Sequence, residues 1–81
     1  MITLDSLPIN TQGKIINLNC NGDIRRRMLD LGIIPGTVII PVLKSPSGDP
    51  RAFEVRGTLL AIRKEDASKI VVKESLISQS G

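Results

Sequence analysis

Turn signals divide this chain before any other feature does. Gly32, Pro35-Gly36, the run Ser45-Pro46-Ser47-Gly48-Asp49-Pro50 and Gly57 separate residues 13–72 into short apolar segments. Most of these are rich in β-branched side chains and have the length of strands rather than helices. Lys14 to Asn19, Thr37 to Lys44, Arg51 to Arg56, Leu59 to Arg63 and Ile70 to Val72 read as five strands. Only one stretch has a helical period: Ile24, Met28 and Leu31 recur at i, i+4 and i+7, with arginines on the other faces. Asn21 or Asp23 can cap its start, and Gly32 can take the left-handed conformation that ends it, so a helix is predicted over 23–31. Pro35-Gly36 has the residues of a type II turn, and Gly57-Thr58 those of a two-residue type II′ hairpin. Pro41 lacks a ladder donor, which places it at an edge or a bulge. The opening from Thr3 to Leu7 reads as a turn stopped by Pro8, and Lys64 to Ser68 as one helical turn.

The result is a mainly β chain of about five strands, with one helix inserted between the first two. In a small domain, curling such a sheet into a barrel removes exposed edges that otherwise invite aggregation. Leu29, Leu31, Ile39, Phe53, Val55, Leu60, Ile62 and Val71 are expected to form most of the core, with the strand facing open to a one-residue slip. At 81 residues there is room for one domain. It is expected over 1–75, with 76–81 a disordered tail and fraying from Glu74 onward.

The residue inventory narrows the chemistry. The chain has no His and one Cys, Cys20. A protein-only zinc site usually takes four ligands with N or S donors, which this inventory does not supply. Ser–His and Cys–His nucleophilic pairs are likewise excluded, and the neighbouring Glu65 and Asp66 point apart on a helical turn. The glycines match no phosphate-cradling loop. No cofactor and no catalysis are expected. A lone Cys cannot form an internal disulfide, which fits a cytoplasmic setting. Residues 1–12 have no signal-peptide pattern, and no apolar run reaches the ~20 residues of a membrane span. The formal net charge of +3 suits an acidic protein or a nucleic acid equally. Phe53 is the single aromatic residue, however, and single-strand binders need aromatic platforms. A groove for proline-rich segments needs them too.

Arg25-Arg26-Arg27 is the strongest surface feature. Three consecutive helical residues fan over about 200°, so they cannot form one tight cluster. Arg26 and Arg27 are each spaced to pair with Asp30. Beyond such weak solvated pairs, the run suits contact with an acidic protein surface. The predicted partner-binding set is Arg25, Arg26 and Arg27, with Met28 or Leu29 as apolar anchor and burial in the core as the alternative for both.

The order RRRMLDLGIIPGTVI, SGDP, FEVRG, LLAIR, then Ala67 ahead of Ile70-Val71-Val72, resembles the FeoA (ferrous iron transport protein A) family from Leu4 to Val72. Pro41 departs from the family pattern, where a branched apolar residue is more usual. The resemblance implies an SH3-like barrel. It also implies a small cytoplasmic accessory that regulates or assembles a membrane ferrous iron transporter of the FeoB type, which carries a cytoplasmic GTPase domain. Such an accessory would reach the inner membrane only through that partner, without inserting. Related domains in iron-dependent repressors make a metal-binding or metal-sensing domain the alternative, with a nucleic acid-binding small barrel behind it. Homo-oligomerisation is left open.

Overall fold

Six antiparallel strands and one full helix make up the computed structural model, which describes residues 1–75. In chain order the strands are β1 (Ile2–Thr3), β2 (Gly13–Leu18), β3 (Val38–Lys44), β4 (Arg51–Val55), β5 (Thr58–Ile62) and β6 (Ile70–Glu74). A 3-10 turn at Leu4–Ser6 follows β1, α1 (Gly22–Asp30) joins β2 to β3, and the short α2 (Lys64–Ala67) joins β5 to β6. The sheet runs β1-β6-β2-β3-β4-β5.

Two expectations about the sheet need correction. There are six strands rather than about five, because Ile2 and Thr3 pair with Val72 and Val71. Two residues are too few to show alternation, and only the arrival of β6 makes them a strand. The barrel also does not close: β1 and β5 end the sheet without pairing to each other. The gap is bridged by side chains. Arg51, on β4, donates from Nη1 to the carbonyl of Asp5 at 2.8 Å and from Nη2 to the carbonyl of Leu7, tying the 3-10 segment across the open side. Its guanidinium lies 5.3 Å from the centre of the Phe53 ring.

Pro41 sits at a bulge, where β3 slips register against β4 between Pro41 and Leu43. On its other side, β3 pairs with β2 only at Val38 and Ile39, so no ladder donor is missed. The Pro41 carbonyl instead accepts from the Asn10 amide at 2.6 Å. A second bulge, at Ile16, shifts β2 against β6; both Ile16 and Asn17 face outward, and Leu18 returns to the core. Pro35-Gly36 forms its turn with the Thr37 amide donating to Ile34 at 3.0 Å and Gly36 at φ 96°. The β4–β5 hairpin differs from expectation. Its central residues are Arg56 and Gly57, both left-handed at φ 53° and 81°, and Val55 pairs with Thr58. Two positive φ values define a type I′ turn, whose twist matches the flanking strands.

The core holds Ile39, Phe53, Val55 and Ile62 as expected, together with Leu4, Leu7, Ile15, Leu18, Met28, Ile33, Ile70 and Val72. Leu29 and Leu60 are partly buried against it. Val71 is half-buried, because β6 turns Ile70 and Val72 inward; this is the one-residue slip. Leu31 is 43% exposed, since α1 stops before it. Glu74, expected to fray, pairs with Gly13, and the tail expected over 76–81 lies outside the described residues.

Candidate cationic docking face

The geometry of α1 follows from how it ends. Leu31 is the C-cap and Gly32 follows at φ 92°; the Gly32 amide donates to Leu29 and the Ile33 amide to Met28, each at 3.0 Å. This pair of bonds is a Schellman motif, which brings the residue after the glycine against the last turn. Ile33 and Met28 are accordingly both buried, and Leu31 is left outside. The i, i+4, i+7 stripe therefore breaks at its last member, and Ile33 takes the place assigned to Leu31. The glycine at the helix end was the signal for that substitution.

At the start of the helix, Asn21 occupies the N-cap position without a side-chain capping bond, and Asp23 lies in the first turn. Arg25 donates from Nη1 to the Leu18 carbonyl at 3.1 Å, which pins the first turn to the end of β2. Arg27 turns the other way and meets Asp66 of α2 at 3.8 Å. The expected pairs of Arg26 and Arg27 with Asp30 are absent among the described residues, where Arg27–Asp66 is the one ion pair. Tertiary placement of α2 gave Arg27 a better-positioned carboxylate than its own helix did.

The predicted set therefore divides. Arg25, Arg26 and Leu29 share an open hollow of about 390 Å³ with Gly22 and Asp30. The spacing explains it: Arg25 with Leu29 and Arg26 with Asp30 form two adjacent i, i+4 rows, and Gly22, without a side chain, leaves one end open. Arg27 belongs to the contact between the helices. Met28, 2% exposed, is a core residue and offers no area to a partner. Sequence reasoning missed Gly22, which has no charge or period to mark it. It also missed the exposed Leu31 and Ile34 beyond the helix end.

Among the described residues no three Cys, Asp or Glu side chains converge on a point where a metal ion could be held. Cys20 is buried just past the end of β2, and the sequence supplies no second thiol. The donor set does not fit a resident metal.

A mainly β, antiparallel domain of this size, with a helix between two of its strands, has the architecture of a small SH3-like module. The FeoA domain family matches residues 2–74, and the chain belongs to it. A FeoA-like protein from Clostridium acetobutylicum is 37% identical with a TM-score of 0.85, over 93% of this chain and 87% of that one. The FeoA of Stenotrophomonas maltophilia, solved with zinc and described as a procaryotic SH3 domain protein, is 31% identical with a TM-score of 0.80, over 90% and 91% of the two chains. A Porphyromonas gingivalis protein that fuses Fe(2+) transport protein A to the Fe(2+) transporter FeoB is 31% identical over 70 residues. Those residues are 86% of this chain and 8% of the fusion protein. The family thus links the domain to ferrous iron transport.

Proposed function

We propose that this domain is a cytoplasmic accessory that binds a membrane ferrous iron transporter of the FeoB type, and regulates or assembles it without catalysing a reaction. The observation that carries this reading is the Porphyromonas gingivalis fusion, in which one polypeptide holds both partners. Fusion keeps a domain at high effective concentration beside its target, which is of use when the two must touch. Among the described residues no helix is long and apolar enough to cross a membrane, so the domain's place beside the bilayer would come through the transporter. The Stenotrophomonas maltophilia relative, put forward as a ferrous iron transport activating factor, supports the same assignment.

The surface proposed for docking is the α1 hollow, with Arg26 at its centre. Arg25 is already bonded to Leu18, whereas Arg26 is exposed and bonded to nothing among the described residues. It can therefore offer its full planar donor set to a carboxylate. Half-buried Leu29 supplies the apolar floor beside it.

Pull-down from detergent-solubilised membranes, with and without guanine nucleotide, tests the assignment. Arg26→Glu is expected to fold as the parent and bind the transporter more than about tenfold more weakly, a loss of over 1.4 kcal/mol. Added salt should weaken the parental complex, because rim charges are screened. Arg26→Glu co-purifying at the parental level would show that the arginine run is only a solvated helix face. The interface would then be sought at the Ser45–Pro50 loop.

A further inference from the structure

The outer face of the β3–β4–β5 sheet is apolar apart from Glu54 and has no covering element among the described residues. Register places Ile40, Glu54 and Leu59 in one cross-strand row and Leu43, Ala52 and Ala61 in the next. Leu43 and Leu59 are each 61% exposed, and Ala61 is exposed beside them. The complementary rows, Pro41–Phe53–Leu60 and Lys44–Arg51–Ile62, face the core side.

This face ends at a free edge. β5 is the last strand of the sheet, and its backbone bonds only to β4 among the described residues. The parity of those bonds follows from the hairpin. Val55 and Thr58 close a two-residue turn and form a hydrogen-bonded pair, so Leu60 and Ile62 also direct their amides and carbonyls toward β4. Leu59 and Ala61 therefore aim theirs outward from the edge. Natural edge strands are usually blunted by Lys, Pro or an inward charge. Thr58-Leu59-Leu60-Ala61-Ile62 contains none of these.

We infer that two copies of this chain join antiparallel through β5, about a two-fold axis at Leu60. That axis sets Leu59 opposite Ala61 of the second copy, and the reverse. The outward amides and carbonyls of both residues then become mutually satisfied in four hydrogen bonds. Within Thr58–Ile62 no pair across the axis opposes like charges, and the outer rows continue from one copy into the other. Leu59 is thereby flanked by Glu54 on its own side and Ala61 of the second copy on the other. The second copy fits better than an open chain of contacts. β1, the other end strand, is two residues long, so joining β5 to β1 offers little pairing and would not close. The inference does not depend on the transporter assignment, because it uses the face formed by β3, β4 and β5 and leaves α1 free.

Sedimentation of the full chain from micromolar to millimolar concentration tests it, combined with amide exchange. A reversible monomer–dimer equilibrium is expected, with the Leu59 and Ala61 amides gaining protection as the dimer forms. Each copy carries +3, so salt should tighten this association, opposite to its effect on an Arg26 contact. Ala61→Pro removes a donor that points away from β4, and is expected to weaken the dimer at least about tenfold. Leu59→Lys, which blunts the edge without touching the backbone, should do the same even if the proline variant misfolds. A chain that stays monomeric at about 1 mM would overturn the inference. So would a dimer in which both amides exchange at the monomer rate, or one unaffected by Leu59→Lys. Protection of Leu59 and Ala61 only when a transporter's cytoplasmic domain is added would also overturn it, assigning the edge to that partner's strand.

Discussion

Single side chains carry a large share of this fold because the core is thin. Phe53 is the single aromatic residue and is 0% exposed, between Pro41 on β3 and Leu60 on β5. Truncation leaves a cavity that so small a domain closes poorly. Phe53→Ala should cost about 3–5 kcal/mol in denaturant melts, on the scale of a small domain's whole stability. Cys20 is the counter-example, a residue whose chemistry invites a role that its surroundings do not support. With no His in the chain and no convergent carboxylates among the described residues, calorimetry should find no tight one-to-one zinc or ferrous site on the monomer. If a one-to-one site does appear, Cys20→Ser decides whether the sulfur supplies it between chains. Phe53 was legible as core because Phe53 and Val55 alternate with Ala52, Glu54 and Arg56. The expectation that Cys20 alone holds no metal rests on the inventory of the chain, which has no His and one Cys.

At the scale of elements, α1 is defined more sharply by its end than by its beginning. Gly32 at φ 92° allows the two Schellman bonds, and these decide that Ile33 rather than Leu31 enters the core. A Cβ at Gly32 would meet only Val55 Cγ1 at 4.0 Å, an ordinary contact. Gly32→Ala is thus a clean test of conformation: about 1–2 kcal/mol of destabilisation is expected from the left-handed backbone alone, measured by thermal melts. A cost near zero would mean that the helix end reorganises. The Arg56-Gly57 turn teaches a related lesson. Glycine marked the hairpin from sequence, but placing it at the second rather than the first central position needed the pairing of Val55 with Thr58. An arginine at φ 53° is a position that no local preference would have selected.

At the scale of the whole molecule, the open side between β1 and β5 is held by contacts distant in sequence. Arg51 reaches the carbonyls of Asp5 and Leu7, 46 and 44 residues away, and Asp49 accepts from the first amide of α2 at 2.7 Å. Arg51→Ala should cost about 2–3 kcal/mol, from two charge-assisted bonds and the carbonyls left behind. It should also speed amide exchange over residues 4–7 more than over β2 or β6. Uniform loss of protection would show that Arg51 supports the core at large rather than closing that side. Turn residues, strand periods and one helical stripe were enough to determine the mainly β class and the order of strands around one helix, and the residue inventory narrowed the chemistry expected of it. Each of these depends on neighbours a few residues apart, or on which side chains the chain contains. Only the tertiary structure decided the sixth strand, the open sheet, the buried Met28, and the ion pair that drew Arg27 from Arg26. Those outcomes depend on which distant segment arrives alongside, and no local preference encodes that arrival.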